Sequence, residues 1–137
     1  MVNMKVNNSA YKKLQSLEEY AGQELEDKLY AIANDAVRTT LTSTSNKGKI
    51  GAVDSGAYLE SFSFALGSGR PRRKVYRGNQ KSFNPEQLAL QNLLSDIKRV
   101  DLMSSTRITL RNGSPYARKV EYNYGYRIFA KLRRKHG

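Results

Sequence analysis

Ile108-Thr109-Leu110-Arg111-Asn112-Gly113-Ser114-Pro115-Tyr116-Ala117-Arg118-Lys119-Val120-Glu121-Tyr122 changes its period part-way along. Ile108 and Leu110 alternate with Arg107, Thr109 and Arg111, which predicts a strand over Ser105–Arg111 with a basic solvent face. Asn112-Gly113 ends that strand. Ser114 then caps a helix whose first residue is Pro115, where the fixed φ helps and the missing N–H costs nothing. Ala117, Val120, Glu121 and Tyr124 continue the helix until Gly125 stops it. A strand that hands over directly to a helix argues for a mixed fold.

Working outward, the segment before this one opens with Asn84 as a cap, Pro85 at the first helical position and Gln87 three residues after the cap. A helix is predicted from Pro85 to about Val100, with Leu88, Leu90, Leu93, Leu94, Ile97 and Val100 as its apolar stripe. Further back, Phe62, Phe64 and Leu66 alternate with Ser61, Ser63 and Ala65, the pattern of a half-buried strand. A turn-like stretch, Val53–Glu60, leads into it. Gly56 permits a turn that a Cβ would hinder, and Asp54 can bond the amides beyond it. From Ser9 to about Leu41, Tyr11, Leu14, Leu17, Ala21, Leu25, Leu29, Ile32, Ala36 and Val37 recur at steps of three and four, which predicts one long amphipathic helix capped by Ser9. Gly22 marks where that helix would break if it were two. Lys74-Val75-Tyr76 and Tyr126–Phe129 read as short strands, and Lys131–His136 as a basic tail that frays.

The expected architecture is therefore α+β: a long N-terminal helix and two shorter helices packed on a small, mostly antiparallel sheet. A chain of 137 residues fits a single domain, 1–137, with mobile loops at 42–52 and 67–82 and a basic tail at 130–137. No stretch reaches the ~20 apolar residues of a membrane span, and Met1–Asn8 lacks the apolar run of a signal peptide. The reading is a soluble protein without membrane partners. Cysteine is absent, which removes disulfides and thiolate chemistry.

Charge divides the chain. Residues 1–66 hold seven Lys/Arg and eight Asp/Glu, net −1, whereas residues 67–137 hold seventeen and four, net +13. Such polarity suits ordered stacking of subunits or a surface against DNA. Arg70, Arg72, Arg73, Lys74 and Arg77 gather in one loop, and Lys131, Arg133, Arg134 and Lys135 at the end. These are candidate contacts for phosphates or for an acidic subunit. Tyr116, Tyr122, Tyr124 and Tyr126 lie nearby, and packing or subunit contact is favoured over base stacking for them.

Catalytic chemistry has little to stand on. The only histidine, His136, is next to last and reads as a solvated tail residue. Asp54 with Glu60 or Glu121 is the one conceivable carboxylate pair, and Gly67-Ser68-Gly69 lacks the spacing of a phosphate loop. No catalytic, cofactor or metal site is expected.

Two segments carry a family resemblance. Val53-Asp54-Ser55-Gly56-Ala57-Tyr58-Leu59-Glu60-Ser61-Phe62 is similar to a Val-Asp-Thr-Gly-x-Leu-x-x-Ser pattern that follows a long first helix and opens a first strand. Ile108–Tyr122 is similar to a strand followed by Asn-x-x-Pro-Tyr-Ala and then hydrophobic-Glu-Tyr-Gly. Both patterns, in this order, belong to the neck or tail-completion proteins of tailed bacteriophages, the group that includes minor tail protein Z. The chain resembles them over about residues 9–129. It departs in having Ser55 for Thr, two residues between Tyr122 and Gly125, and no Gln-x-Pro-x-Gly stretch. The resemblance implies a virion structural protein, assembled in the bacterial host cytoplasm into a ring at the head–tail junction. Its partners would be further copies of itself, head-side connector or stopper proteins, tail terminator or tail tube proteins, and packaged DNA in the channel. The motif residues are Asp54, Gly56, Leu59, Asn112, Pro115, Tyr116 and Glu121. The alternative, carried by charge alone, is a small basic non-specific nucleic-acid-binding protein.

Overall fold

The computed structural model describes residues 2–6, 18–53, 55–66, 73–75, 81, 83–99 and 108–136. Strand β3 (Ile108–Asn112) is the middle of a three-stranded antiparallel sheet, between β1 (Val2–Val6) and β2 (Phe62–Leu66). Leu110 stands opposite Met4 on one side and Phe64 on the other, so one face carries a continuous apolar row. Sequence reading missed β1. Its alternation of Val2, Met4 and Val6 is only five residues long, and pairing along the whole of β3 is what makes it a strand.

Central placement also changes the character of β3. All five of its residues are buried, Thr109 and Arg111 included, so it has no basic solvent face. Arg107 lies outside the described residues. Alternation assigns faces; it does not say whether the second face is covered.

Helix α1 (Glu18–Thr42) buries Leu25, Leu29, Ile32 and Ala36 at steps of four, three and four, as the periodicity requires. It runs without a break through Gly22; Ser9 and the residues to 17 lie outside the described residues. A short helix α2 (Ala57–Glu60) precedes β2, and α3 (Pro85–Arg99) follows it. Asn84 Nδ2 donates to Gln87 Oε1 (2.7 Å), and Leu88 N donates to Asn84 O (3.2 Å), fixing the first turn of α3. Ala89, Leu93 and Ile97 are its buried stripe, with Leu88 exposed and Val100 outside the described residues. These helices join Met4, Phe62, Phe64, Ile108 and Leu110 in one hydrophobic cluster.

Asp96 interrupts the apolar stripe of α3 and is buried at 2% exposure. Its carboxylate accepts the Phe64 amide (Oδ2, 3.1 Å), both terminal nitrogens of Arg73 (3.0 and 3.1 Å) and Arg99 Nη2 (2.6 Å). Arg73 also donates to Phe62 O (2.7 Å), and Val75 N donates to Ser61 Oγ (2.9 Å). A carboxylate and a guanidinium thus do for the outer edge of β2 what a neighbouring strand's peptide groups would do. Lys74 and Val75 are consequently not part of a strand; Tyr76 is outside the described residues.

The chain end differs most from expectation. Instead of a strand at Tyr126–Phe129 and a frayed tail, Ile128–His136 forms helix α4, packed on α1 and β1 through buried Ile128, Phe129 and Leu132. The basic residues that suggest a solvated tail occupy only its outer side. His136 Nε2 lies 2.6 Å from Asp35 Oδ2 on α1, and Lys135 Nζ donates to the same oxygen (2.9 Å). His136 is therefore a docking residue rather than a solvated one. Burial works against ionisation of Asp35, but the hydrogen bonds and charges of Lys135 and His136 outweigh it and hold the carboxyl below its ordinary value.

Removing Asp96 would strand Arg73 and leave Phe64 N unpaired. Asp96→Ala is expected to cost about 3–5 kcal/mol, as breaking a buried ion pair does. Arg99→Gln, at a side chain 55% exposed, is expected to cost under about 1 kcal/mol. Urea unfolding of the two variants beside the parent protein measures both.

Candidate functional site

The two motif segments meet, and the contact is specific. Gly56 sits at φ +94°, a conformation that favours glycine, and turns the chain into α2. Ser55 Oγ accepts the Ala57 amide (3.3 Å), and Ser61 Oγ donates to Ala57 O (2.6 Å), closing α2 at both ends. Asn112, the last residue of β3, reaches across: its Nδ2 donates to Tyr58 O (2.7 Å) and its Oδ1 accepts the Ser114 amide (3.0 Å). Gly113 N donates to Ser61 O (3.1 Å), and the Tyr58 ring meets Phe62 edge-on, centroids 5.4 Å apart. Asn112 is wholly buried, so both of its amide groups are satisfied by backbone alone.

After Asn112 the sequence expectation of a capped helix holds at its start. Ser114 Oγ accepts the Tyr116 amide (3.1 Å), and Ala117 N donates to Ser114 O (3.1 Å). Beyond Arg118 the helix widens into a π-helical turn, Lys119–Asn123, with Tyr124 N donating to Lys119 O (2.7 Å). Gly125, at φ +74°, ends it as expected, and a Cβ there would collide with the Asn46 side chain. Within this turn Val120 and Glu121 face inward while Tyr122 and Tyr124 face solvent. Glu121 accepts the amides of Phe129 (Oε1, 2.8 Å) and Ala130 (Oε2, 3.1 Å), the otherwise unpaired donors at the start of α4.

Between the segments lies a cleft of about 240 Å³, lined among others by Lys49, Val53, Tyr58, Tyr116, Tyr124 and Tyr126. The stretch after α1, read from composition as a loop, forms a small hydrogen-bonded turn that contributes to this lining. Thr44 bridges Ile50, Gly51 N donates to Ser43 O (2.8 Å), Asn46 N donates to Tyr124 O (2.7 Å), and Tyr126 Oη donates to Gly51 O (3.1 Å). Tyr58 is buried, and burial together with the nearby Glu121 charge pushes its phenol well above the ordinary value, so it stays neutral. Tyr116 and Tyr124 are 40% and 51% exposed. Rigid, amphipathic rings beside an amine suit the side chains of another protein.

The remaining sequence candidates separate. Leu59 is core, Pro115 is exposed, and Arg73 is occupied at the β2 edge, so Arg73 is not offered to a partner. Lys74, Arg133 and Arg134 are exposed; Lys135 is exposed but bonded to Asp35. Asp54, Arg70, Arg72 and Arg77 lie outside the described residues. Asp96 was missed, although a lone acid inside an apolar helical stripe signals a buried pair. Among the described residues, no group of three or more His, Asp or Glu is placed to hold a metal, and no helix is long and apolar enough to cross a membrane.

Compared with known protein families, curated proteins and solved structures, the chain matches none.

Loss of the Asn112 side chain leaves Tyr58 O and Ser114 N buried without partners. Asn112→Ala is expected to cost about 2–6 kcal/mol, since each of the two orphaned buried groups costs roughly 1–3 kcal/mol. Pro115→Ala, at an exposed turn position, is expected to stay within about 1 kcal/mol. Chemical denaturation of both variants tests the difference.

Proposed function

We propose that this chain is a structural subunit of a tailed-bacteriophage neck or tail-completion ring, bridging the head connector and the tail. The observation that carries the reading is the Asn112 clasp. The two segments that resemble the neck proteins lie far apart in sequence, yet side chain and backbone of Asn112–Gly113 bind Tyr58 O and Ser61 O. Motif residues that share one buried corner act as one unit, as a family's structural signature would.

The tyrosine cleft beside that corner gives a ring subunit something to present. Tyr and Arg dominate the energetics of protein interfaces, and the rings of Tyr116 and Tyr124 are presented at low entropic cost by a turn already fixed at Ser114 and Gly125. Repetition around a ring multiplies a modest contact by the number of subunits. The uneven charge of the two chain halves favours one orientation of stacking. In this reading the neighbours are further copies, a head-side connector or stopper, and a tail terminator or tail tube protein.

The test is particle assembly. Cryo-electron microscopy of virions is expected to show ring density of this fold at the head–tail junction. Particles made without the chain should be tail-less heads that lose DNA, and Tyr116→Ala with Tyr124→Ala should reproduce that defect in a folded protein. Normal tailed particles in its absence would refute the assignment.

A further inference from the structure

Glu121 is the only acidic residue after Asp101, and it is buried against the amides of Phe129 and Ala130. Around it Arg118, Lys119, Arg127, Lys131 and Arg134 are all exposed. The surface of the π-helical turn and α4 is therefore cationic with no exposed carboxylate of its own segment to offset it.

Geometry orders these charges. Lys131 and Arg134 share the side of α4 opposite buried Ile128, Phe129 and Leu132, and exposed Arg127 precedes the helix in a left-handed conformation at φ +55°, its carbonyl accepting the Lys131 amide (3.0 Å). Lys131 and Arg134 thus stand about one helical turn apart. The Arg127 guanidinium lies 5.3 Å over the Tyr122 ring. Arg118 and Lys119 are exposed at the start of the π-helical turn that carries Tyr122. Both ends of α4 are fixed, by Glu121 at its start and by Asp35 on Lys135 and His136 at its finish. The helix that carries the charges is held in place before any partner arrives.

We infer that this face binds the phosphate backbone of duplex DNA without reading its sequence. Interfaces between proteins deplete lysine and build a core of apolar anchors, whereas those with DNA are strongly positive and polar, which is the composition here. Arg127 covers the Tyr122 ring, so that ring steadies a cation rather than stacking on a base, which favours backbone contact over single-strand stacking. The contact moves from the loop of Arg73, which is engaged by Asp96, to a rigid helix. It stands independently of the ring proposal and leaves it intact if wrong.

Fluorescence anisotropy of the full chain with a mixed-sequence labelled duplex, across a salt series, tests this. With three to five phosphates neutralised, the slope of log K against log salt is expected at about −3 to −5. Arg127→Gln, Lys131→Gln and Arg134→Gln together should reduce that slope by about 3 and weaken binding by about tenfold or more at low salt. Thermal melting checks that the triple variant folds; should it not, the single reversal Lys131→Glu replaces it and should weaken binding by itself. Unchanged binding in a folded variant, or loss on neutralising Arg70, Arg72 and Arg77 instead, would overturn the inference. Equal affinity for a polyglutamate peptide would also overturn it, in favour of an acidic protein partner.

Discussion

A buried peptide group must have a hydrogen-bond partner, and in this fold four side chains provide partners that the backbone does not. Asn112 serves the end of β3 and the carbonyl of Tyr58. Glu121 serves the start of α4, and Asp96 with Arg73 serves the outer edge of β2. Asn112 and Asp96 join elements that are distant in sequence, whereas Glu121 joins the π-helical turn to the helix that follows it; each supplies hydrogen-bond partners that regular secondary structure does not provide at that point. Truncating any one exposes the same weakness, an orphaned donor or acceptor in the interior. The hydrophobic cluster supplies the drive to fold, but these polar side chains decide which surfaces meet.

Much of this was legible in residue order. The period of α1, the start of α3 at Asn84-Pro85, and the Ser114-Pro115 start and Gly125 stop all follow from local rules, because in each the deciding contacts lie within a turn or two; the alternation of β2 locates the strand but not its burial, since Ser63 and Ala65 are buried with Phe62 and Phe64 and the strand is not half-exposed. The α+β class follows from them. The failures share a cause in the opposite direction. β1 is a strand because β3 runs beside it, β3 is buried on both faces because of its central position, and α4 is a helix because Ile128, Phe129 and Leu132 dock on α1 and β1 under a Glu121 cap. None of those partners is local. Composition misled at the chain end, where Lys131–His136 reads as a solvated tail although its charges line only one side of a packed helix.

The candidate site divides in the same way. Gly56, Asn112 and Glu121 were nominated from sequence, but their roles as turn, clasp and helix cap are visible only once the corner is assembled. The tyrosine cleft and the cationic stripe are then neighbours on one scaffold with different chemistry. The first is aromatic and recessed, fit for protein side chains. The second is charged and lies on a helix fixed at both ends. The two surfaces are joined through the π-helical turn and the residues that flank it, Val120 and Tyr124 lining the cleft and Tyr122 lying under Arg127.

That connection rests on Gly56–Phe62 and Asn112–Tyr122 opening as one unit. Native-state hydrogen exchange reads it directly through the amides of Glu60, Ser61, Gly113 and Ser114. All four are expected to exchange with the same free energy, equal to that of global unfolding. Exchange of Gly113 and Ser114 through a separate, low-energy opening while Glu60 and Ser61 stay protected would contradict the account.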